Sequence, residues 1–242
     1  MPRRFGFGLV VGLLGSLLLP GPPAAGYQAI SVTNGGSIQG KVVFTGSPPS
    51  PRKVIPTKDK EVCGGIRDEP RILLSPDNGV EGSFVYLKKV ERGKAWDKPA
   101  KPPVIDNKQC HFVPRVQVIP VGALAIHNSD PVLHNTHGFF GKVTAFNVAL
   151  PIQGQTVKRP IKKSGLMRVE CDAHGWMLAW IYVADHPYYV VTGKDGSFTL
   201  KDVPPGQYTL VAWQEYTEEV EAPVTVKAKE TATVTIDLAK TK

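Results

Sequence analysis

Glycine and proline punctuate this chain so densely that, after residue 27, no stretch sustains the apolar repeat of an amphipathic helix over several turns. Its 24 Gly and 22 Pro separate short runs rich in Val, Ile, Thr, Phe and Tyr. Proline removes a backbone donor and glycine weakens any regular element, so such a chain folds as short strands joined by tight turns. Strands are predicted at 37–45, 82–90, 115–119, 123–128, 155–161, 166–171, 179–183, 197–200, 207–214 and, in two pieces, 222–237. The fold class is all-β, of the sandwich or barrel kind. Residues 47–76 and 91–108, loaded with Pro, Lys and Asp, show no alternation and read as connecting loops.

The first 26 residues read differently. Arg3 and Arg4 precede an uncharged apolar run from Phe5 to Leu19, followed by Pro20, Gly21 and the small residues Ala24, Ala25 and Gly26. That order predicts a secretory signal over 1–26, cleaved near Ala25 or Gly26. An apolar run of about 15 residues is short of the 18 to 20 a spanning helix needs, so no membrane span is expected after cleavage. The expected location is periplasmic or secreted, in a bacterium.

Cleavage removes two basic residues and no acidic one, which lowers the net charge from +8 to about +6. The lysines are scattered, with pairs such as Lys88-Lys89 and Lys162-Lys163 but no longer block. That is a solvated basic surface; no nucleic-acid partner is expected, whereas an acidic redox partner is compatible with it.

Chemistry concentrates in Cys171-Asp172-Ala173-His174-Gly175-Trp176-Met177. A thiolate, an imidazole and a thioether within seven residues suit copper, and two His, one Cys and a weak Met form the donor set of blue-copper electron-transfer centres. The second imidazole is found upstream in Leu133-His134-Asn135-Thr136-His137. Period two turns Met167, Val169 and Cys171 to one face of their strand, so the sulfur reaches the site from the core.

Three cysteines in an exported protein leave an odd thiol. With Cys171 on a metal, Cys63 and Cys110 are free to pair, which an oxidising compartment permits. Pairing of Cys171 with either of them would abolish the site, and sequence alone does not fix the connectivity. Cys110-His111 offers another soft pair, which the disulfide reading removes. The lack of Cys-x-x-Cys-His argues against a c-type haem.

Around this loop the chain resembles a cupredoxin. Phe112-Val113-Pro114, Val116-x-Val118, Gly122, Ile126-x-Asn128 and His134-Asn135 resemble the strand, turn and ligand pair of plastocyanin-like and amicyanin-like copper proteins. Gly165 and the strand into Cys171-x-x-His174-x-x-Met177 resemble their last ligand loop, with a spacing similar to that of amicyanin. The resemblance implies a Greek-key barrel or sandwich holding one copper ion by His134, Cys171 and His174, with Met177 as the long axial ligand. His127 and His137 compete with His134 for the second imidazole. It further implies that the Asn135 side chain ties the His134 strand to the Cys171 loop. Trp176 would contribute to an apolar docking face around an exposed edge of His174, and Trp180 would pack in the core or rim.

After Asp185, Tyr189 to Leu200 with its Asp195-Gly196 turn, and Val203-Pro204-Pro205-Gly206-Gln207-Tyr208, resemble the carboxypeptidase regulatory-like, transthyretin-like β-sandwich. Phe198 and Tyr208 would be its core aromatics, and His186 a linker residue. The opening strands of such a module resemble 37–44 and 80–87. The expected domains are therefore 36–90 with 186–240 as a discontinuous sandwich, and 91–185 as an inserted cupredoxin; tandem order is the alternative.

The resemblance implies an exported, single-copper electron carrier working with an exported redox protein, similar to bacterial proteins labelled methylamine-utilisation or plastocyanin-like. A copper carrier or storage protein would use the same donors, and a structural β-sandwich with a degenerate site is a third reading. No second His-rich cluster is visible, so the chemistry of multicopper oxidases is not expected and the chain reads as a non-enzyme.

Overall fold

The computed structural model describes residue 1, residues 26–97 and residues 101–241. The expected secretory signal lies almost wholly outside the described residues.

Strands dominate and form two sandwiches, each around its own core. In the first, a five-stranded sheet runs in the order Val116–Pro120, Leu178–Ala184, Gly165–Cys171, His134–Phe140, Val143–Leu150. Facing it is a four-stranded sheet of His111–Val113, Val104–Lys108, Gly122–Asn128 and Thr156–Ile161. Ile105, Leu124 and Ile126 from one sheet meet Ile119, Val148, Met167, Val169 and Ile181 from the other in a single apolar cluster.

The second sandwich takes strands from both halves of the chain. Phe84–Leu87 lies between Tyr189–Val191 and Gly206–Gln214, with Glu218–Val226 at the edge. Gly36–Val43 lies between Ser197–Val203 and Thr231–Asp237, pairing with the latter in parallel. Ile38, Val42, Val85, Leu87, Phe198, Leu210 and Ile236 fill the core between the two sheets, and Tyr208 packs against it partly buried.

One strand serves as the shared wall. Along Leu178–Ala184 the buried Ala179, Ile181 and Val183 face the first core, as period two requires. Its outward residues meet the second sandwich: Trp180 packs edge-on to Trp213 at 5.1 Å, and Tyr182 lies 5.8 Å from Phe84 and 4.9 Å from Tyr86. Glu215 accepts from the Trp180 indole and pairs with Arg115, adding polar links across the same boundary.

Residues 47–76, read as a connecting loop, carry structure of their own. Arg52–Val54 and Arg67–Glu69 form a small hairpin around a four-residue helix, Lys60–Cys63. Within 91–108, likewise read as loop, Val104–Lys108 is a strand of the first sandwich. His186, read as a linker, is buried with Nε2 bonded to the Leu87 carbonyl.

Candidate metal centre

The Gly165–Cys171 strand carries its last side chain to one end of the first sandwich. Met167 and Val169 are fully buried and Cys171 is 1% exposed, so the thiol emerges from a dry core. The chain then turns twice: the His174 N–H donates to the Cys171 carbonyl at 3.2 Å, and the Met177 N–H to the His174 carbonyl at 2.9 Å. These turns return His174 to the thiol and bury Met177 in the same apolar cluster. His134 opens the neighbouring strand, in register through the pair Thr136 and Cys171.

Three donor atoms converge there. The Nδ1 atoms of His134 and His174 are 3.1 Å apart, and Cys171 Sγ lies 3.8 Å and 3.7 Å from them. A triangle with these edges has its centre about 2.1 Å from each atom, within the ~2.0–2.3 Å at which imidazole and thiolate bind a metal.

The opposite ring nitrogens decide what those atoms offer. His134 Nε2 is 2.9 Å from Asp130 Oδ2, and His174 Nε2 is 2.8 Å from Asp59 Oδ2. A carboxylate accepts only, so each Nε2 carries the hydrogen and each Nδ1 presents a bare lone pair. Two lone pairs aimed at each other across 3.1 Å repel unless a cation lies between them. Two imidazoles and a thiol sulfur are soft to borderline donors, and the set fits copper; Met177 is buried in the same apolar cluster as Cys171.

Burial acts on both kinds of donor. Burial pushes the His134 imidazole below its ordinary 6.5, against the pull of the Asp130 hydrogen bond, and keeps it neutral. Burial raises the Cys171 thiol above 9.0, although backbone N–H groups of Asn135, His174 and Ala173 oppose it. A metal would displace that proton on binding.

Several expected roles change in detail. Asn135 does join the two strands, but through its backbone: its N–H donates to Cys171 Sγ at 3.4 Å and its carbonyl accepts from Asp172 at 3.3 Å, while its side-chain Oδ1 is buried without a partner. His174 has no exposed edge; it is fully buried under Asp59. Trp176 is half-buried, packs 5.1 Å from the His174 ring, and has its carbonyl bonded by Arg52, so it is part of the cover and does not frame an open face. His127 bonds Thr156, and His137 faces Asp172 and Thr144, so neither joins the cluster.

Cys63 and Cys110 form the disulfide, leaving Cys171 as the free cysteine among the described residues. His111 turns away toward Arg67 and Glu69. The sequence reading missed Asp59 and Asp130. Asp130 also accepts from the backbone N–H groups of Gln109 at 2.7 Å and Cys110 at 2.9 Å. Its place four residues before His134 is a local signal; Asp59, 115 residues from His174, gives none.

Residues 179–239 match the family model of the carboxypeptidase regulatory-like domain. The match begins in the shared wall strand and omits Gly36–Val43 and Phe84–Leu87, which pair with strands inside it. No curated protein matches the sequence. Among solved structures, a purple cupredoxin from Nitrosopumilus maritimus is 22% identical over 34% of this chain and 99% of its own, with a TM-score of 0.31. Amicyanin from Paracoccus versutus is 17% identical over 36% of this chain and 86% of its own, at 0.31. A copper-containing nitrite reductase from Thermus scotoductus SA-01 is 21% identical over 40% of this chain and 25% of its own, again at 0.31. The chain thus resembles cupredoxins over about a third of its length and the carboxypeptidase regulatory-like domain over residues 179–239.

Proposed function

We propose that this protein is an exported, non-enzymatic, mononuclear copper protein for one-electron transfer. The observation that carries the reading is the buried convergence of His134 Nδ1, His174 Nδ1 and Cys171 Sγ, with both Nε2 atoms already bonded to carboxylates. His134, Cys171 and His174 would hold the ion and Met177 would tune it from the core. A copper ion bound there supplies reversible one-electron chemistry.

The remaining work belongs to the chain. Asp130 and Asp59 hold the imidazoles in one tautomer, and the core beneath Cys171 excludes water from the sulfur. A site fixed by strands, tight turns and a disulfide cannot rearrange much between oxidation states, which keeps electron exchange fast. Asp59 is one-third exposed, so the route from His174 Nε2 to the surface is one carboxylate long. Exposed Lys58 and Lys60 flank Asp59 in the chain, which suits an acidic exported redox partner.

The nested domain plan is part of the proposal: strands before residue 90 complete sheets with strands after residue 188, around the first sandwich. No helix among the described residues is long and apolar enough to cross a membrane.

The test is visible absorption and electron-spin resonance of residues 27–242 with one equivalent of Cu(II). An intense thiolate charge-transfer band, bleached by ascorbate and lost in Cys171→Ser with the fold retained, is the expected result. A band unchanged in Cys171→Ser would overturn the assignment.

A further inference from the structure

The disulfide lies against the donor cluster. The sulfurs of Cys63 and Cys110 and a ring nitrogen of His174 all fall within 4.8 Å of one another. The same span joins Cys110, Asp130 and His134, and each of these residues is buried. Cys63 ends the short helix that begins after Asp59, and its N–H bonds the Asp59 carbonyl at 2.8 Å. Cys110 is held through its N–H by Asp130. The S–S bond therefore closes a ring: His174, Asp59, the helix, Cys63, Cys110, Asp130 and His134.

We infer that this disulfide is a redox-controlled second metal site, in which Cys63, Cys110 and His174 capture Cu(I) once the bond is reduced. Two thiolates and an imidazole are a soft three-donor set that favours Cu(I). The inference rests on the copper reading only for the identity of the ion. His174 belongs to both donor sets, so the dithiol form competes with Cys171 and His134 for it, and the chain passes from a fixed electron-transfer centre to a Cu(I)-holding state.

The chemistry balances with a dithiol reductant. One of its thiolates attacks Cys63 or Cys110, breaking the S–S bond and forming a mixed disulfide; its second thiol then displaces the protein sulfur. Two electrons and two protons pass to the chain, which carries two thiols, and the reductant leaves as a cyclic disulfide. Cu(I) binding then releases both thiol protons to solvent, with no change in the oxidation state of the metal. Cys63 is 4% exposed and is followed by the exposed Gly64 and Gly65.

The experiment uses Cys171→Ser, which removes the thiolate of the first donor set, in residues 27–242. The protein is prepared with its disulfide intact or reduced by a phosphine that is then removed without oxygen. Thiol titration verifies each state and near-ultraviolet circular dichroism verifies the fold. Cu(I) alone is added and its retention is measured against a chromophoric Cu(I) chelator. Retention of one Cu(I) per chain about tenfold or more tighter in the dithiol form, and loss of that gain in a chain that also carries Cys63→Ser and Cys110→Ser, is the expected result. Equal retention in both forms, or none in either, overturns the inference. Wild-type protein with the disulfide intact is measured beside it: a blue centre there, with no Cu(I) gain in Cys171→Ser, sinks this inference and leaves the electron-transfer reading standing. A Cu(I) gain without any wild-type blue centre does the reverse.

Discussion

Replacing Asp130 tests the scaffold of the metal centre without touching a proposed ligand. Asp130 is 4% exposed, and its carboxylate accepts from Gln109 N–H, Cys110 N–H and His134 Nε2–H. Asp130→Ala leaves the last two donors buried without partners. Each stranded donor costs roughly 1–3 kcal/mol, so with two of them the metal-free protein should lose about 2–6 kcal/mol. Asp130→Asn keeps the shape and one acceptor oxygen but turns an amide N–H toward another donor, and should cost roughly half as much. Urea unfolding of metal-free protein with the Cys63–Cys110 bond intact gives the comparison, with midpoints read at constant slope. The expected order of stability is wild type, Asn, Ala. Copper affinity should fall with it, by about 10–100-fold for Ala, because the His134 ring loses its orientation. A loss below about 1 kcal/mol for Ala, or a larger loss for Asn than for Ala, would refute the claim that this carboxylate holds both the Cys110 turn and the imidazole.

Asp59→Ala should loosen copper by about tenfold while costing less stability than Asp130→Ala, because its carboxylate is one-third exposed; chelator competition and urea unfolding check both. Metal-free stability should be greatest between about pH 6.5 and pH 9. Burial lowers the imidazoles of His134 and His186, so below 6.5 the unfolded chain binds protons that the folded protein refuses, and stability falls by up to about 1.4 kcal/mol per pH unit for each. Burial raises the Cys171 thiol, so above 9.0 the unfolded chain ionises first and stability falls again; urea midpoints across the range would show both limbs. Gly40→Ala would place a Cβ 2.2 Å from the Val234 carbonyl oxygen and 2.6 Å from the Phe198 ring, and should cost about 3 kcal/mol or more by thermal unfolding, without altering copper affinity.

Much of the first sandwich was readable because its strands alternate apolar and polar residues, as Met167, Val169 and Cys171 do. The His134–Phe140 strand escaped because the residues it buries first are His134, Thr136 and Gly138, a polar and small set that carries no hydrophobic signal. The donors His134, Cys171 and His174 were legible from residue type and spacing. Their orientation was not: it depends on Asp59, brought over His174 by a segment whose order comes from a hairpin, one turn of helix and a disulfide. That segment lacks a core-facing repeat, so its sequence looks like a linker. The expected exposed edge of His174 failed for the same reason, since Arg52 and Asp59 close over a loop that would otherwise face solvent.

The parallel pairing of Gly36–Val43 with Thr231–Asp237 fixes an order of events during synthesis. Ser37 must wait for Thr231, whereas every strand of the first sandwich lies between Val104 and Ala184. Short-range contacts close early and long-range ones late, so a chain emerging from its N-terminus completes the site-bearing sheets while the outer sandwich still lacks its last strands. By the time Ala184 has emerged, Asp59, Cys63, Cys110 and Asp130 have also been made, and the ring around the imidazoles can close. Every residue of the metal pocket is then made before the last strand of the second sandwich, Thr231–Asp237.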